Sequence, residues 1–97
     1  MTADDLRKLI EFVEKKVRLV DPAERGIEFD LPGESELLEA GLDPEGVRQL
    51  LEAPWLREMI ADVRETPDFC EPGDPPEQVL RYARDVVVEY FRKRFQL

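Results

Sequence analysis

Residues 74–94 read DPPEQVLRYARDVVVEYFRKR, and this stretch predicts a long C-terminal helix. A helix start is indicated by the segment from Asp74 to Glu77, which places an aspartate cap before two prolines and a glutamate. Three bases at residues 92–94 lie at the opposite end, where the helix dipole favours cations. The apolar side chains recur at steps of three and four, the period of one helical face: Val79, Leu80, Ala83, Val86, Val87, Tyr90 and Phe91. A helix with one apolar face packs against other helices, so the stretch predicts a helical bundle.

A second amphipathic helix is predicted at the N-terminus. Thr2 and Asp5 have the spacing of a capping box, in which each side chain bonds the backbone of the other residue. Asp21-Pro22 is expected to end the helix, because the residue before a proline avoids helical backbone angles. Its predicted buried face consists of Leu6, Leu9, Ile10, Val13, Val17 and Val20.

The central part of the chain predicts short helices that glycine and proline interrupt. Ser35 is expected to cap one of them, and Gly41 is expected to end it. The next helix is expected to begin with Asp43 as its cap and Pro44 at its first position.

Pro54 separates this helix from a further one, which is predicted to run from Trp55 to about Glu65. Thr66-Pro67 is expected to stop that helix, and a proline-rich connector then leads to the last helix. The sum is an all-α fold: a small bundle of four to five helices, with two long terminal helices and short, proline-broken central ones.

Only residues 27–31 alternate apolar and polar side chains in the manner of a half-buried strand. A strand needs a partner, and no second convincing strand is found in the sequence. An extended loop that packs Ile27, Phe29 and Leu31 onto the helices is therefore favoured. The alternative is an edge strand that pairs with a second copy of the chain.

Length and composition indicate a single domain over residues 1–97, without a membrane span, since no run of about 18 apolar residues is present. The charged N-terminus lacks the apolar core of a secretory signal, and one cysteine cannot form an internal disulfide, so a cytoplasmic location is expected. The absence of asparagine, the presence of only three glutamines and the many charged residues are typical of a thermophile. Few lysines and many acids also fit a halophile, and a GC-rich genome explains the same composition.

The net charge of −9 is unevenly distributed. Residues 21–78 hold seventeen acids and four bases, whereas residues 1–20 and 79–97 carry net charges of +1 and +3. An acidic protein repels nucleic acid and anionic membranes, so neither is an expected partner. The segregation has two interpretations: attraction between the terminal helices and the acidic middle, or an acidic face for a basic partner.

Catalytic chemistry finds little support, and no catalytic, cofactor-binding or metal-ligating residue is predicted. The chain has no histidine, so neither a Ser-His nor a Cys-His arrangement can form. The acidic neighbours of Cys70 disfavour its thiolate. The acids of residues 62–77 lack the ligand order and central glycine of an EF-hand loop. The sequence therefore favours a protein that is not an enzyme.

Five residues are candidates for contact with a partner: Trp55, Phe69, Phe29, Asp68 and Glu71. Trp55 follows a proline at a helix start, and tryptophan often anchors interfaces, although a core or capping position beside Met59 is the favoured interpretation. Phe69 lies in the proline-bounded connector between two acids, where it either fills the core or docks a partner.

The leading hypothesis is a small acidic protein that acts through a protein partner, either a basic protein or a second copy in a homodimer, without catalysis. The alternative is an auxiliary domain or subunit of an enzyme, which binds a small ligand or a divalent cation near residues 62–77. A weaker alternative is an acidic mimic of nucleic acid.

Overall fold

The computed structural model describes residues 2–95, which form five helices and a two-stranded antiparallel sheet. The helices are α1 (Ala3–Glu14), α2 (Glu34–Glu39), α3 (Pro44–Leu51), α4 (Leu56–Phe69) and α5 (Pro76–Phe95). The strands are β1 (Arg18–Leu19) and β2 (Ile27–Glu28). This arrangement confirms the predicted small helical bundle. None of the helices in residues 2–95 is long and apolar enough to cross a membrane.

The last helix organises the bundle, because α5 packs against both α1 and α4. Leu80, Val86 and Tyr90 of its predicted apolar face are only partly buried. The other four residues of that face, Val79, Ala83, Val87 and Phe91, are fully enclosed. They meet Leu9 and Val13 of α1 and Met59 and Val63 of α4, which are equally buried. Full burial of a side chain of this size stabilises the fold by about 1.5–3 kcal/mol, so this contact dominates the packing.

The first helix is shorter than predicted. It ends at Glu14, and Val17 lies beyond it, although the Val17 side chain is fully buried as expected. Both Nε and Nη2 of Arg84 donate hydrogen bonds to the Val17 carbonyl, at 3.2 and 3.1 Å. Prediction of Val20 as a buried helical residue is wrong, since its side chain is 61% exposed.

Residues 27–31 find a strand partner inside the chain. Ile27 pairs with Leu19 and Glu28 pairs with Arg18. The expectation that no second strand exists is therefore wrong, because Arg18–Leu19 looked like the last turn of α1. Ile27 and Phe29 are buried, so the predicted packing of this segment onto the helices is confirmed.

Two of the four helix caps predicted from the sequence are present in the structure. The Thr2 hydroxyl accepts from the Asp5 N–H at 3.1 Å and the Asp5 carboxylate accepts from the Thr2 N–H at 3.3 Å, as a capping box requires. Asp43 caps α3 by accepting from the Gly46 N–H at 2.9 Å. Ser35 does not cap α2, because that helix already begins at Glu34.

The fourth site is Asp74, whose carboxylate accepts from the Glu71 N–H at 3.1 Å within the connector, while α5 begins at Pro76. A bond inside the connector thus replaces the expected cap.

The fourth helix continues past the predicted stop and ends at Phe69, with Pro67 inside its last turn. A proline this near the end removes only one helical hydrogen bond. The buried Thr66 hydroxyl donates to the Asp62 carbonyl at 3.1 Å in the same turn. The extension carries Phe69 on the end of α4, beside α5.

Candidate functional site

A surface groove lies between α4 and α5, and it consists of two adjoining cavities. The first encloses about 330 Å³, and Thr66, Phe69 and Cys70 line it together with three shared residues. The second encloses about 450 Å³. Asp62, Tyr82 and Val86 line both cavities, so the two form one continuous depression. We call it the α4–α5 groove. The remaining residues of the second cavity are Glu58, Asp85, Glu89, Tyr90, Lys93 and Arg94.

Phe69 stands at one end of the groove with 83% of its surface exposed. Tyr82, on the neighbouring turn of α5, is 43% exposed. The choice left open by the sequence is thus decided: Phe69 is a surface side chain, outside the core. An exposed aromatic ring beside a concave surface is a common anchor for another molecule.

Four carboxylates form the rim of the second cavity. Glu58 and Asp62 lie four residues apart on α4, and Asp85 and Glu89 lie four apart on α5. Like charges at this spacing destabilise a helix by about 0.2–0.5 kcal/mol per pair. All four side chains are exposed, and none takes part in an ion pair within residues 2–95.

The described ion pairs lie elsewhere, between Arg7 and Asp4, Lys16 and Glu36, and Arg64 and Asp30. Within residues 2–95, the four rim carboxylates therefore form no ion pair, although Lys93 and Arg94 line the same cavity.

Charge changes sign along the groove. Lys93 and Arg94 line the second cavity at the end remote from Phe69, near the C-terminal end of α5. Since α5 rises about 1.5 Å per residue, the seven steps from Tyr82 to Glu89 span about 10 Å. The groove therefore offers an apolar end, an acidic middle and a basic end in that order.

A hydrogen bond from the Tyr90 hydroxyl to the Asp62 carboxylate joins the two helices across the groove. Burial raises the pKa of Tyr90 above its ordinary value, and the hydrogen bond and charge of Asp62 raise it further. The negative charge of Glu58 acts in the same direction, and Arg94 opposes it. A neutral phenol is thereby maintained between two carboxylates.

Trp55 packs against the Tyr90 ring. Its ring stacks on Tyr90, with ring centroids 6.1 Å apart, and meets Phe91 and Phe95 edge-on at 5.7 and 6.2 Å. Trp55 is therefore half-buried in an aromatic cluster, and its role in the structure is to fix one side of the groove.

The other three predicted contact residues lie in different surroundings. Phe29 is only 1% exposed and belongs to the core, so its side chain is not presented to a partner. Asp68 and Glu71 are exposed next to Phe69 along the chain, but neither lines the two cavities.

Sequence reasoning missed Tyr82, Glu58, Asp85 and Glu89, whereas Asp62 begins the acidic stretch 62–77 that was considered for a divalent cation. Tyr82, Val86 and Tyr90 follow one another at steps of four, which describes a second stripe beside the buried face of α5. That stripe and the two acid pairs at the same spacing were the available signals.

Groups for chemistry are sparse in the groove. The half-buried Cys70 thiol donates to the Thr66 carbonyl at 3.3 Å, and the Asp62 carboxylate also lines its cavity. Within residues 2–95, no group of three or more Asp, Glu, Cys or His side chains is placed to hold a metal ion. What the groove offers is apolar surface and unpaired negative charge.

No protein-family model matches the chain, and no curated protein or solved structure proved similar to it. Functional inference therefore starts from the groove itself, from its exposed aromatic end and its acidic rim.

Proposed function

We propose that the protein acts by binding another protein through the α4–α5 groove, in the cytoplasm and without catalysis. The observation that carries the proposal is Phe69, a large apolar side chain left 83% exposed at the end of a groove with a charged rim. Protein interfaces combine an apolar centre, rich in aromatic side chains, with a polar margin. Phe69 and Tyr82 supply the apolar centre, and the four rim carboxylates supply the polar margin.

A protein is favoured over a small molecule because a protein surface is large enough to cover the exposed Phe69 ring. The first cavity, at about 330 Å³, lies at the lower end of the usual range for small-ligand sites, which is about 300–1,000 Å³. A small ligand in that cavity leaves most of the Phe69 ring in water. A partner chain that lies along the groove covers both the ring and the cavity.

The small-ligand or cation hypothesis for residues 62–77 remains a second candidate because this cavity lies beside them. It predicts that a small molecule or a divalent cation raises the melting temperature, since a ligand that binds only the folded state stabilises it. Melting curves with calcium, magnesium and a chelator, together with a small-molecule panel, distinguish it from the first candidate.

A homodimer through two facing grooves is less favourable than a complex with a basic partner. Each copy carries a net charge of −9, and face-to-face contact would bring the two acidic rims together. A basic protein that ordinarily binds nucleic acid is one partner whose charge complements the acidic rim. The nucleic-acid mimic is therefore a special case of this proposal. Competition of the captured partner with DNA identifies that case.

The test is affinity capture from the native cell with the wild-type protein and two matched variants. Phe69→Ser removes the exposed ring, and Leu38→Ser removes another exposed apolar side chain, 39% accessible on α2 and outside the groove. We expect a partner that the wild type and Leu38→Ser retain and Phe69→Ser loses. Equal recovery with all three proteins would overturn the proposal, and equal melting temperatures guard against misfolding.

A further inference from the structure

We propose that the segment bound in the α4–α5 groove is a cationic amphipathic stretch of a different protein, with one large apolar anchor followed by lysine or arginine. The inference rests on the proposed function and adds the chemistry and the direction of the partner. Three features carry it: the apolar cavity at Phe69, the unpaired carboxylates, and the change of charge along the groove.

The anchor belongs in the first cavity. Phe69, Tyr82, Val86 and Cys70 supply its apolar walls. The Thr66 hydroxyl also lies there, but it already donates to the Asp62 carbonyl of its own helix. The cavity therefore has few unmet polar groups apart from Asp62, and it selects an apolar side chain such as leucine, methionine or phenylalanine.

The anchor is accompanied by cations because the four rim carboxylates form no ion pair within residues 2–95. The Tyr90 hydroxyl occupies Oδ2 of Asp62, which leaves Oδ1 of that carboxylate open to a donor from outside. Asp85 and Glu89 face the same space from α5, and Glu58 faces it from α4. Lysine or arginine in this position relieves the repulsion between the paired acids and gains charge-assisted hydrogen bonds.

The basic end of the groove gives the segment a direction. Cations of the partner are attracted near Asp85 and Glu89 and repelled near Lys93 and Arg94. The distance from Tyr82 to Glu89 is about 10 Å, or two turns of a helix. The cations of the segment therefore lie one to two helical turns from its anchor, on the side toward the C-terminal end of α5.

A second copy does not offer such a segment. Three consecutive bases occur in this chain only at residues 92–94. The aromatic residues before them are engaged within their own chain, since Tyr90 donates to Asp62 and Phe91 is fully buried. The apolar anchor therefore has to come from another protein.

The test uses synthetic amphipathic peptides of about four helical turns and the full chain. The first peptide carries a phenylalanine anchor, with lysines one and two turns after it. A second replaces the lysines by glutamate, and a third replaces the anchor by serine. Titration followed by amide chemical shifts and calorimetry should show that the first binds, with shifts centred on Asp62, Phe69, Tyr82 and Val86. The other two should bind at least about tenfold more weakly.

Matched variants separate the rim from the overall charge. Asp85→Asn combined with Glu89→Gln removes two rim charges, and Glu39→Gln combined with Glu45→Gln removes two exposed charges outside the groove. We expect the first pair to weaken the lysine peptide by about two- to tenfold and the second pair to leave it nearly unchanged. Equal effects of the two pairs would show that only the net charge matters.

The inference is overturned if the glutamate peptide binds as well as the lysine peptide, if neither binds, or if the chain dimerises through the groove in sedimentation experiments. The proposed function fails separately. A partner that depends on Phe69, but whose cross-linked segment lacks lysine and arginine, contradicts the cationic segment and leaves protein binding standing. If no partner depends on Phe69, both the proposed function and the cationic segment are contradicted.

Discussion

Tyr90 on α5 donates a hydrogen bond to the Asp62 carboxylate on α4, and both residues line the second cavity of the groove. Trp55 stacks against the Tyr90 ring on the inner side. The acidic rim and the aromatic wall of the groove are thus held by one pair of side chains.

Removal of the Asp62 charge should lower the pKa of Tyr90 part of the way toward its ordinary value. Burial, the largest cause of the raised pKa, persists in Asp62→Asn, whereas the charge and the carboxylate acceptor are lost. An ultraviolet titration of tyrosinate in a Tyr82→Phe background reports Tyr90 alone. Glu58→Gln, which removes a weaker cause, should lower the pKa less, and a larger fall than in Asp62→Asn would contradict the contact.

The same contact predicts a loss of stability at alkaline pH. The folded protein keeps Tyr90 neutral to a higher pH than the unfolded chain does, where tyrosine ionises near about pH 10. The contribution of Tyr90 to the free energy of unfolding is therefore complete below about pH 10 and is lost as the pH rises through the higher pKa of the folded state. Urea denaturation against pH measures it, and a Tyr90→Phe variant should show a smaller decline over this range.

Two phenylalanines should respond to truncation in opposite ways. Phe91 is fully buried, and Phe91→Ala should lower the free energy of unfolding by about 3–5 kcal/mol. Phe69 is 83% exposed, and Phe69→Ala should change it by no more than about 0.5 kcal/mol. Denaturant unfolding of both variants checks the assignment, and a large loss in Phe69→Ala would place that ring in the core.

Asp43 and Ser35, two predicted helix caps, should differ in their contribution to stability. Asp43 accepts a hydrogen bond from the Gly46 N–H, so Asp43→Ala should cost about 1 kcal/mol of stability. Ser35 lies inside α2 and makes no capping bond, so Ser35→Ala should fall within about 0.5 kcal/mol of the wild type. Equal losses in the two variants would restore Ser35 as a cap.

Arg84 should stabilise the turn from α1 into β1. Its two hydrogen bonds satisfy the carbonyl of the buried Val17, and Arg84→Met leaves that carbonyl unpaired at a cost of about 1–3 kcal/mol. Arg81→Met, on an exposed position of the same helix, serves as the control and should change stability by less than about 0.5 kcal/mol. Thermal or urea unfolding distinguishes the two.

Most of the bundle could be predicted because its helices carry strong local signals. The faces of α1 and α5 have the helical period, and Asp43-Pro44 marks a helix start. The end of α1 could not be predicted, because Val17 continues the same period although it lies beyond the helix. A distant residue, Arg84, and the pairing of Leu19 with Ile27 determine that turn, and neither partner is near in sequence.

The groove was predicted only in part. Phe69 was a candidate, but a position in the core was an equal expectation, since its exposure depends on how far α4 continues past Pro67. The rim required knowledge of which faces of α4 and α5 lie side by side. Periodicity within one helix identifies a buried face, but it does not identify the neighbouring helix that borders the exposed one.

The most direct test of the account is photo-crosslinking in the native cell from position 69, with a photoreactive phenylalanine derivative in place of Phe69. The same derivative at Leu38 provides the control from an exposed position outside the groove. The account predicts a discrete protein adduct from position 69, absent from position 38, whose cross-linked segment carries an apolar anchor and lysine or arginine. The same adducts from both positions, or none from position 69, would contradict it.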